Sequence, residues 1–312
     1  MKILFIFLDG VGLGVDNAEV NPFALWYTPH LQDILNGKRL LAKNAPLESS
    51  QATLISIDAT LGVAGMPQSA TGQAVLLTGK NVPALIGAHY GPKPNKPIIE
   101  LVTNGNLFSM LIGRGKESSL LNAYPPRFFS SIINGRRILS VIPLAATSAG
   151  LRLKNNFDLI HGNSLSADFT GQGWHDHLGI TDIPVMNPLQ AGKQLAKLAH
   201  NLDFAFFEYW LSDYAGHHQN MNEAAQVVNQ FDEVLDGLMQ DWDPNTGLII
   251  ITSDHGNMED LSTRRHTLNP VPLLVIGAPK LRKSFIKNIE SMTDIAPAIL
   301  ETITGQDSQN QL

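Results

Sequence analysis

Residues 248–272 read LIIITSDHGNMEDLSTRRHTLNPVP. An apolar, β-branched run, Leu248–Thr252, passes straight into Asp254 and His255, and a second histidine, His266, follows eleven residues later. The run predicts a strand buried on both faces. A buried strand has no need of its own to end in a carboxylate and an imidazole. The ending points to a site at the C-terminal edge of a sheet, where α/β folds hold their ligands.

Three more apolar runs, Ile3–Leu8, Phe204–Tyr209 and Leu273–Ile276, have the same character. Helical spacing lies between them: Ala224, Val227, Val228, Phe231, Val234, Leu235 and Leu238 share one face. Residues 188–200 and 292–303 also read as helices, the second with Pro297 in its first turns, where proline is tolerated. The alternation predicts an α/β fold with a doubly wound, mostly parallel sheet. From residue 88 to 187 the chain is rich in Pro, Gly and Asn and the alternation weakens. This predicts a core made of residues 1–87 and 188–312 with a smaller inserted cap domain over 88–187.

The chain has 312 residues, 44% of them hydrophobic and 16% charged, with a net charge of −6. That balance disfavours nucleic acid as a partner, and pairs such as Arg136-Arg137 and Arg264-Arg265 read first as solvated faces. There is no cysteine, so disulfides and thiolate metal sites are excluded. The apolar run Ile3–Leu8 is too short for a signal core, and no later stretch reaches the length of a membrane span. A cytoplasmic protein without membrane partners is the expectation.

Four segments carry candidate chemistry. Asp9 follows the first strand in FLDGVGLG, whose glycines fail the dinucleotide pattern because Val15 takes the last position; a glycine turn with a capping Asp reads equally well. Ser69 and Thr71 lie in MPQSATGQAV, where a hydroxyl serves as a helix cap unless a metal lowers its pKa. Asp213 and His217 are four apart in SDYAGHH, so one helical turn or a loop would aim both at one point, with His218 turned away. Asp254, His255 and His266 complete the set. Carboxylate and imidazole are the donors zinc or manganese takes when thiolates are lacking. Seven donors following strands suffice for two neighbouring cations, an arrangement suited to phosphoryl transfer. His175, Asp176 and His177 in GWHDHLG imitate a chelating pair, but lie far from the strand ends and read as a polar loop or a substrate-facing segment, with Trp174 a packing residue.

The ordered set DG at Asp9, SATG at Ser69, DYAGH at Asp213–His217, SDHGN at Asp254–His255 and HTLNPVP at His266 resembles the alkaline phosphatase superfamily. It looks closest to the branch of cofactor-independent phosphoglycerate mutase and phosphopentomutase, and TDIAPAIL at Thr293–Leu300 resembles that branch's C-terminal helix. The resemblance covers residues 1–87 and 188–312. It implies an alkaline-phosphatase-like core with Asp9, Asp254, His255 and Ser69 on one divalent cation and Asp213, His217 and His266 on another, manganese or zinc. Ser69 would attack phosphorus and become a phosphoserine; Thr71 is its competitor. Gln73 stands where those mutases have a histidine, and the insertion is much shorter than theirs. Thr71, Gln73, His89 and Arg127 are the further candidates for touching substrate. The expected activity is phosphomutase or phosphomonoesterase action on a small phosphorylated metabolite. A phosphodiesterase or sulfatase of the same superfamily, or a metal-binding protein without catalysis, are the alternatives; an oxidoreductase reading fails on the broken glycine pattern.

Overall fold

The computed structural model describes residues 1–305. Nine strands run in chain order: β1 Lys2–Leu8, β2 Leu47–Glu48, β3 Ala52–Ile57, β4 Ser118–Leu120, β5 Ala123–Tyr124, β6 Lys154–Asn155, β7 Phe204–Tyr209, β8 Gly247–Thr252 and β9 Val271–Ile276. Seven form one sheet in the order β2-β3-β9-β8-β1-β7-β4, and β5 pairs with β6 separately. The helices used below are α1 Ser69–Thr78, α2 Lys96–Thr103, α3 Val141–Ser148, α4 Gln172–Leu178, α5 Pro188–Ala199, α6 Leu211–His218, α7 Met221–Asp241 and α8 Ile295–Thr304.

Side chains alternate across the central strands, as period-two geometry requires. Leu4, Ile6, Ala205, Phe207, Ile249 and Ile251 pack on one face with α5 and α7. Ile3, Phe5, Phe204, Phe206, Leu248 and Ile250 pack on the other with α1, α2, α3 and α8. On that second face Phe5 stacks on Phe206 at 4.8 Å between ring centres. The sheet is thus covered on both faces, which is why its central strands read as unbroken apolar runs.

The sheet is mixed, where a mostly parallel one was expected. The pairings β1–β7, β1–β8 and β4–β7 are parallel, while β2–β3, β3–β9 and β8–β9 are antiparallel. An apolar run reports burial, not direction. Direction follows from the connection: no helix intervenes between β8 and β9, and without a crossover the chain returns antiparallel. The return keeps residues 253–270 at the edge where β1, β7 and β8 all end. Because β3 and β8 are both antiparallel to β9, β3 ends there too, and the chain reaches Ser69 soon after it.

The expected inserted domain is corrected in part. Ile98, Val102, Phe108, Leu120, Ile142 and Ala145 belong to the main core, and β4 is an edge strand of the main sheet. Apart from Leu120 in β4, these residues sit in helices of about two turns broken by Pro, Gly and Asn, too short to show a helical period in sequence. A small separate cluster of Ala123, Leu159, Trp174 and Ile183 forms beside β5 and β6. The helix read over 292–303 is a short 3₁₀ turn, Met292–Asp294, followed by α8.

Candidate metal centre

All seven predicted ligands converge on the C-terminal edge of the sheet. Asp9 follows β1, Asp213 and His217 lie one turn apart on α6 after β7, and Asp254 and His255 follow β8. Ser69 opens α1, with its Oγ 3.0 Å from His255 Nε2. His255 Nε2 lies 3.4 Å from Asp9 Oδ1 and 3.5 Å from Asp254 Oδ2. Asp213 lies 3.2 Å from His217 Nε2 through one oxygen and 3.8 Å from His266 Nε2 through the other. Two triplets have ligand atoms within 4.8 Å of one another: Asp213, His217 and His266, and Asp9, Asp213 and His255. Asp213 belongs to both, so one carboxylate sits between the two clusters.

The imidazoles are oriented from behind. His217 Nδ1 and His266 Nδ1 lie 2.7 Å from the carbonyl oxygens of Arg264 and Pro67. A ring nitrogen bonded to a carbonyl must carry the proton, which leaves the His266 Nε2 lone pair facing the site, as metal-binding histidines require. His217 Nε2 bonds Asp213, which raises the His217 pKa above its ordinary value. The rings of His255 and His266 stack 3.7 Å apart. Burial, and then the neighbouring His266, holds the His255 pKa down at about 3; burial likewise lowers that of His266. Both are neutral near pH 7, the form that ligates.

The carboxylates are in the opposite condition. Burial, reinforced by Asp254 and Asp213, raises the Asp9 pKa well above its ordinary value, and burial with Asp213 does the same to Asp254. Burial also opposes ionisation of Asp213, but hydrogen bonding to His217, the field of His255 and an Asn257 amide bond at 2.7 Å outweigh it and bring the pKa to about 2. Asp9 Oδ1 and Asp254 Oδ2 are buried without a hydrogen-bond partner. Unpaired buried carboxylate oxygens facing neutral imidazole nitrogens are costly in any protein that binds nothing there. A divalent cation of borderline softness fits this donor set.

The backbone is shaped to permit the approach. Gly10 has φ +66°, and a Cβ on it would meet Asp213 Oδ1 at 2.5 Å. A Cβ on Gly72 would stand 2.6 Å from that of Asp254, so α1 rests directly against the loop after β8.

Three participants escaped the sequence reading. The fully buried Glu259 carboxylate accepts hydrogen bonds from the Gly12 and Asn257 backbone, both at 2.8 Å, from the Asn269 side chain at 3.0 Å and from the Thr267 hydroxyl. It ties the loop after β1 to both halves of the 253–270 segment, and its signal was an acid standing five residues after Asp254 in SDHGNMED. Asn257 carries the amide that orients Asp213. Glu208, at the end of β7, is pushed up to about 7 by burial, against the pull of Lys93 and a hydrogen bond to Tyr124. Its backbone is clamped by two 2.8 Å bonds to the Asn122 side chain.

The remaining candidates separate. The Thr71 hydroxyl donates to the Gln68 carbonyl at 2.9 Å and accepts from Tyr90 N at 3.2 Å, so it holds the 88–91 turn against α1 instead of facing the cluster. Gln73 is buried on α1 with its Oε1 lacking a partner. His89 Nε2 lies 3.2 Å from the Val63 carbonyl and lines a cleft of about 330 Å³ with Met66, Gln68, Tyr90 and Gly91, next to Ser69. Arg127 is exposed at the start of the helix Pro126–Ile133, with no contact to the cluster. The His175–His177 stretch forms α4; His175 bonds the Ile183 carbonyl at 2.8 Å and Trp174 is packed. His218 turns away to Glu223.

Residues 176–306 match the family model of the metalloenzyme superfamily; the matched part holds Asp213, His217, Asp254, His255 and His266. A 2,3-bisphosphoglycerate-independent phosphoglycerate mutase from Antithamnion sp. is 29% identical over 106 residues, which are 32% of this chain and only 21% of that relative. The PH0037 protein of Pyrococcus horikoshii aligns in structure over 99% of this chain and 98% of its own, with a TM-score of 0.57 and 14% identity. Alkaline phosphatase from the Antarctic bacterium TAB5 aligns over 97% of both chains, with a TM-score of 0.52 and 13% identity. At those identities the likeness is one of fold. Among the described residues no helix is long and apolar enough to cross a membrane.

Proposed function

We propose that this chain, whose residues 176–306 match the metalloenzyme superfamily model, is a two-metal phosphomonoesterase acting on a small phosphorylated metabolite through a phosphoserine at Ser69. The observation that carries this reading is the Ser69 hydroxyl, at a helix start and 3.0 Å from His255, beside two donor triplets that share Asp213. Asp9, Asp254, His255 and Ser69 would hold one cation, and Asp213, His217 and His266 the other. Bound manganese or zinc would neutralise phosphoryl charge and favour the ionised serine.

The chain's own residues do the rest. Ser69 Oγ forms a bond to phosphorus as the ester P–O bond to the organic alcohol breaks. The serine proton passes through solvent to the departing oxygen. Water then attacks the phosphoserine, its P–O bond breaks, and Ser69 is restored with one proton of that water. His217 and His266, aimed by backbone carbonyls, keep the second triplet in place throughout. Hydrolysis is favoured over mutase action because part of residues 88–187, including Ile98, Phe108, Leu120 and Ile142, packs into the main core and the His217 side chain remains 43% exposed at the rim. A mutase must exclude water until the phosphoryl group returns to its product.

The test is phosphate release from sugar phosphates, phosphoglycerates and an aryl phosphate, with protein loaded with Mn²⁺ or Zn²⁺ and with chelated protein. Metal-dependent release that disappears in Ser69→Ala is expected. An isomerised phosphate ester without free phosphate would reassign the chain to the mutases, and turnover that survives chelation would remove the metal reading.

A further inference from the structure

The helix that carries Asp213 and His217 also carries an unexplained aromatic face. Trp210 precedes α6 but already has helical dihedral angles, φ −99° and ψ −5°, so its side chain continues the helical wheel. At about 100° per residue, Asp213, His217, Trp210, Tyr214 and His218 follow one another around roughly 140° of the helix. Ligand stripe and aromatic stripe are therefore neighbours. The Trp210 and Tyr214 rings meet at 5.4 Å and 64°, and Tyr214 meets His218 at 5.7 Å and 75°.

This face is open. Trp210 is 39% exposed and Tyr214 58%, whereas Trp174 and Trp242 are 4% and 5% exposed. Exposed indole and phenol rings supply large, stiff contact area at little entropic cost. His217, the exposed ligand, lies between them and Asp213 around the helix, so the stripe adjoins the place where a phosphoryl group would sit at Asp213 and His217. The stripe offers a second anion no cation of its own: His218 is already paired with Glu223 at 2.7 Å. Two aromatic faces without a formal charge to spare favour a flat, neutral ring.

We propose that the organic part of the substrate carries a planar aromatic base that stacks on Trp210 and Tyr214, which makes the substrate a nucleoside monophosphate. This rests on the phosphomonoesterase reading of the neighbouring cluster. The step from phosphoryl group to ring is one sugar long, and the aromatic stripe begins within one helical turn of the ligands.

The experiment compares adenosine 5′-monophosphate with ribose 5-phosphate, which has the same ester linkage without the base. In metal-loaded wild type, kcat/KM is expected to be about tenfold or more higher for the nucleotide, since one stacked base contributes on that order. In the Trp210→Ala, Tyr214→Ala double variant the ratio should fall toward one, and Trp210→Phe, which keeps a stacking face, should retain most of it. Independently of turnover, the nucleotide should quench tryptophan fluorescence in Ser69→Ala protein, and that quench should vanish when Trp210→Phe is added. Equal kcat/KM for the two substrates in wild type, or equal losses for both in the double variant, would overturn the platform while leaving the phosphomonoesterase reading intact. Quenching without turnover of any ester would do the reverse.

Discussion

Asp9 and Asp254 show in two side chains what the site demands. Each is buried, each has an oxygen without a hydrogen-bond partner, and each has its pKa raised by burial and by other carboxylates. An acid with a raised folded-state pKa contributes stability below its unfolded value, and that contribution is lost as pH rises through the folded one. Glu208, held at about 7 by burial, acts with the same sign. Asp213, brought to about 2 despite its burial, acts oppositely, but only as pH falls below the ordinary carboxylate range. His255 and His266 have the opposite effect, since their lowered pKa values cost stability as pH falls through the ordinary imidazole range. Against that, these acids should give chelated protein a component that gains stability as pH falls from neutral toward about 4. Asp254→Asn removes one of the opposed charges. In chelator at pH 7 it should raise the melting temperature by roughly 3–6 °C and flatten that pH profile, while losing most of the stabilisation that Mn²⁺ gives the wild type. A chelated variant that melts below chelated wild type would show that the carboxylates are not in conflict.

At the scale of elements, the site is a junction of loops held by a buried acid. Glu259 joins the glycine turn after β1 to the segment between β8 and β9 through four donors, so Glu259→Gln would set a side-chain N–H against at least one of them. A loss of about 2–3 kcal/mol is expected from an unmet buried donor and the weakened charge-assisted bonds. It should appear as a lower urea midpoint with unchanged slope; a change within 0.5 kcal/mol, the usual range for surface positions, would make Glu259 a bystander. The strands of these elements, and the positions of the candidate ligands at their ends, were legible in the sequence because each apolar run leads into its donor. Glu259 was not, because a carboxylate that accepts from backbone groups looks the same in sequence as an exposed one. Thr71 misled for the related reason that hydroxyl chemistry and hydroxyl bonding to a turn share one residue type.

For the whole molecule, burial was legible and direction was not. Apolar runs at 3–8, 204–209 and 248–252 gave the strands that carry the site to within a residue. The mixed pairing of β9 and β3 depends on the lack of a crossover helix, and β3, ATLISI, went unread because Ser56 and the part-exposed Ile55 interrupt its apolar pattern. Residues 88–187 were misjudged because proline-broken helices hide their contribution to the core.

The most direct measurement is the intact mass of the metal-loaded protein after brief incubation with a phosphate ester, followed by localisation of any added group. The account predicts a gain of one phosphoryl group on Ser69, present with Mn²⁺ or Zn²⁺ and absent after chelation or in Ser69→Ala. Metal-dependent turnover in Ser69→Ala, or a phosphoryl group found on Thr71, would contradict it.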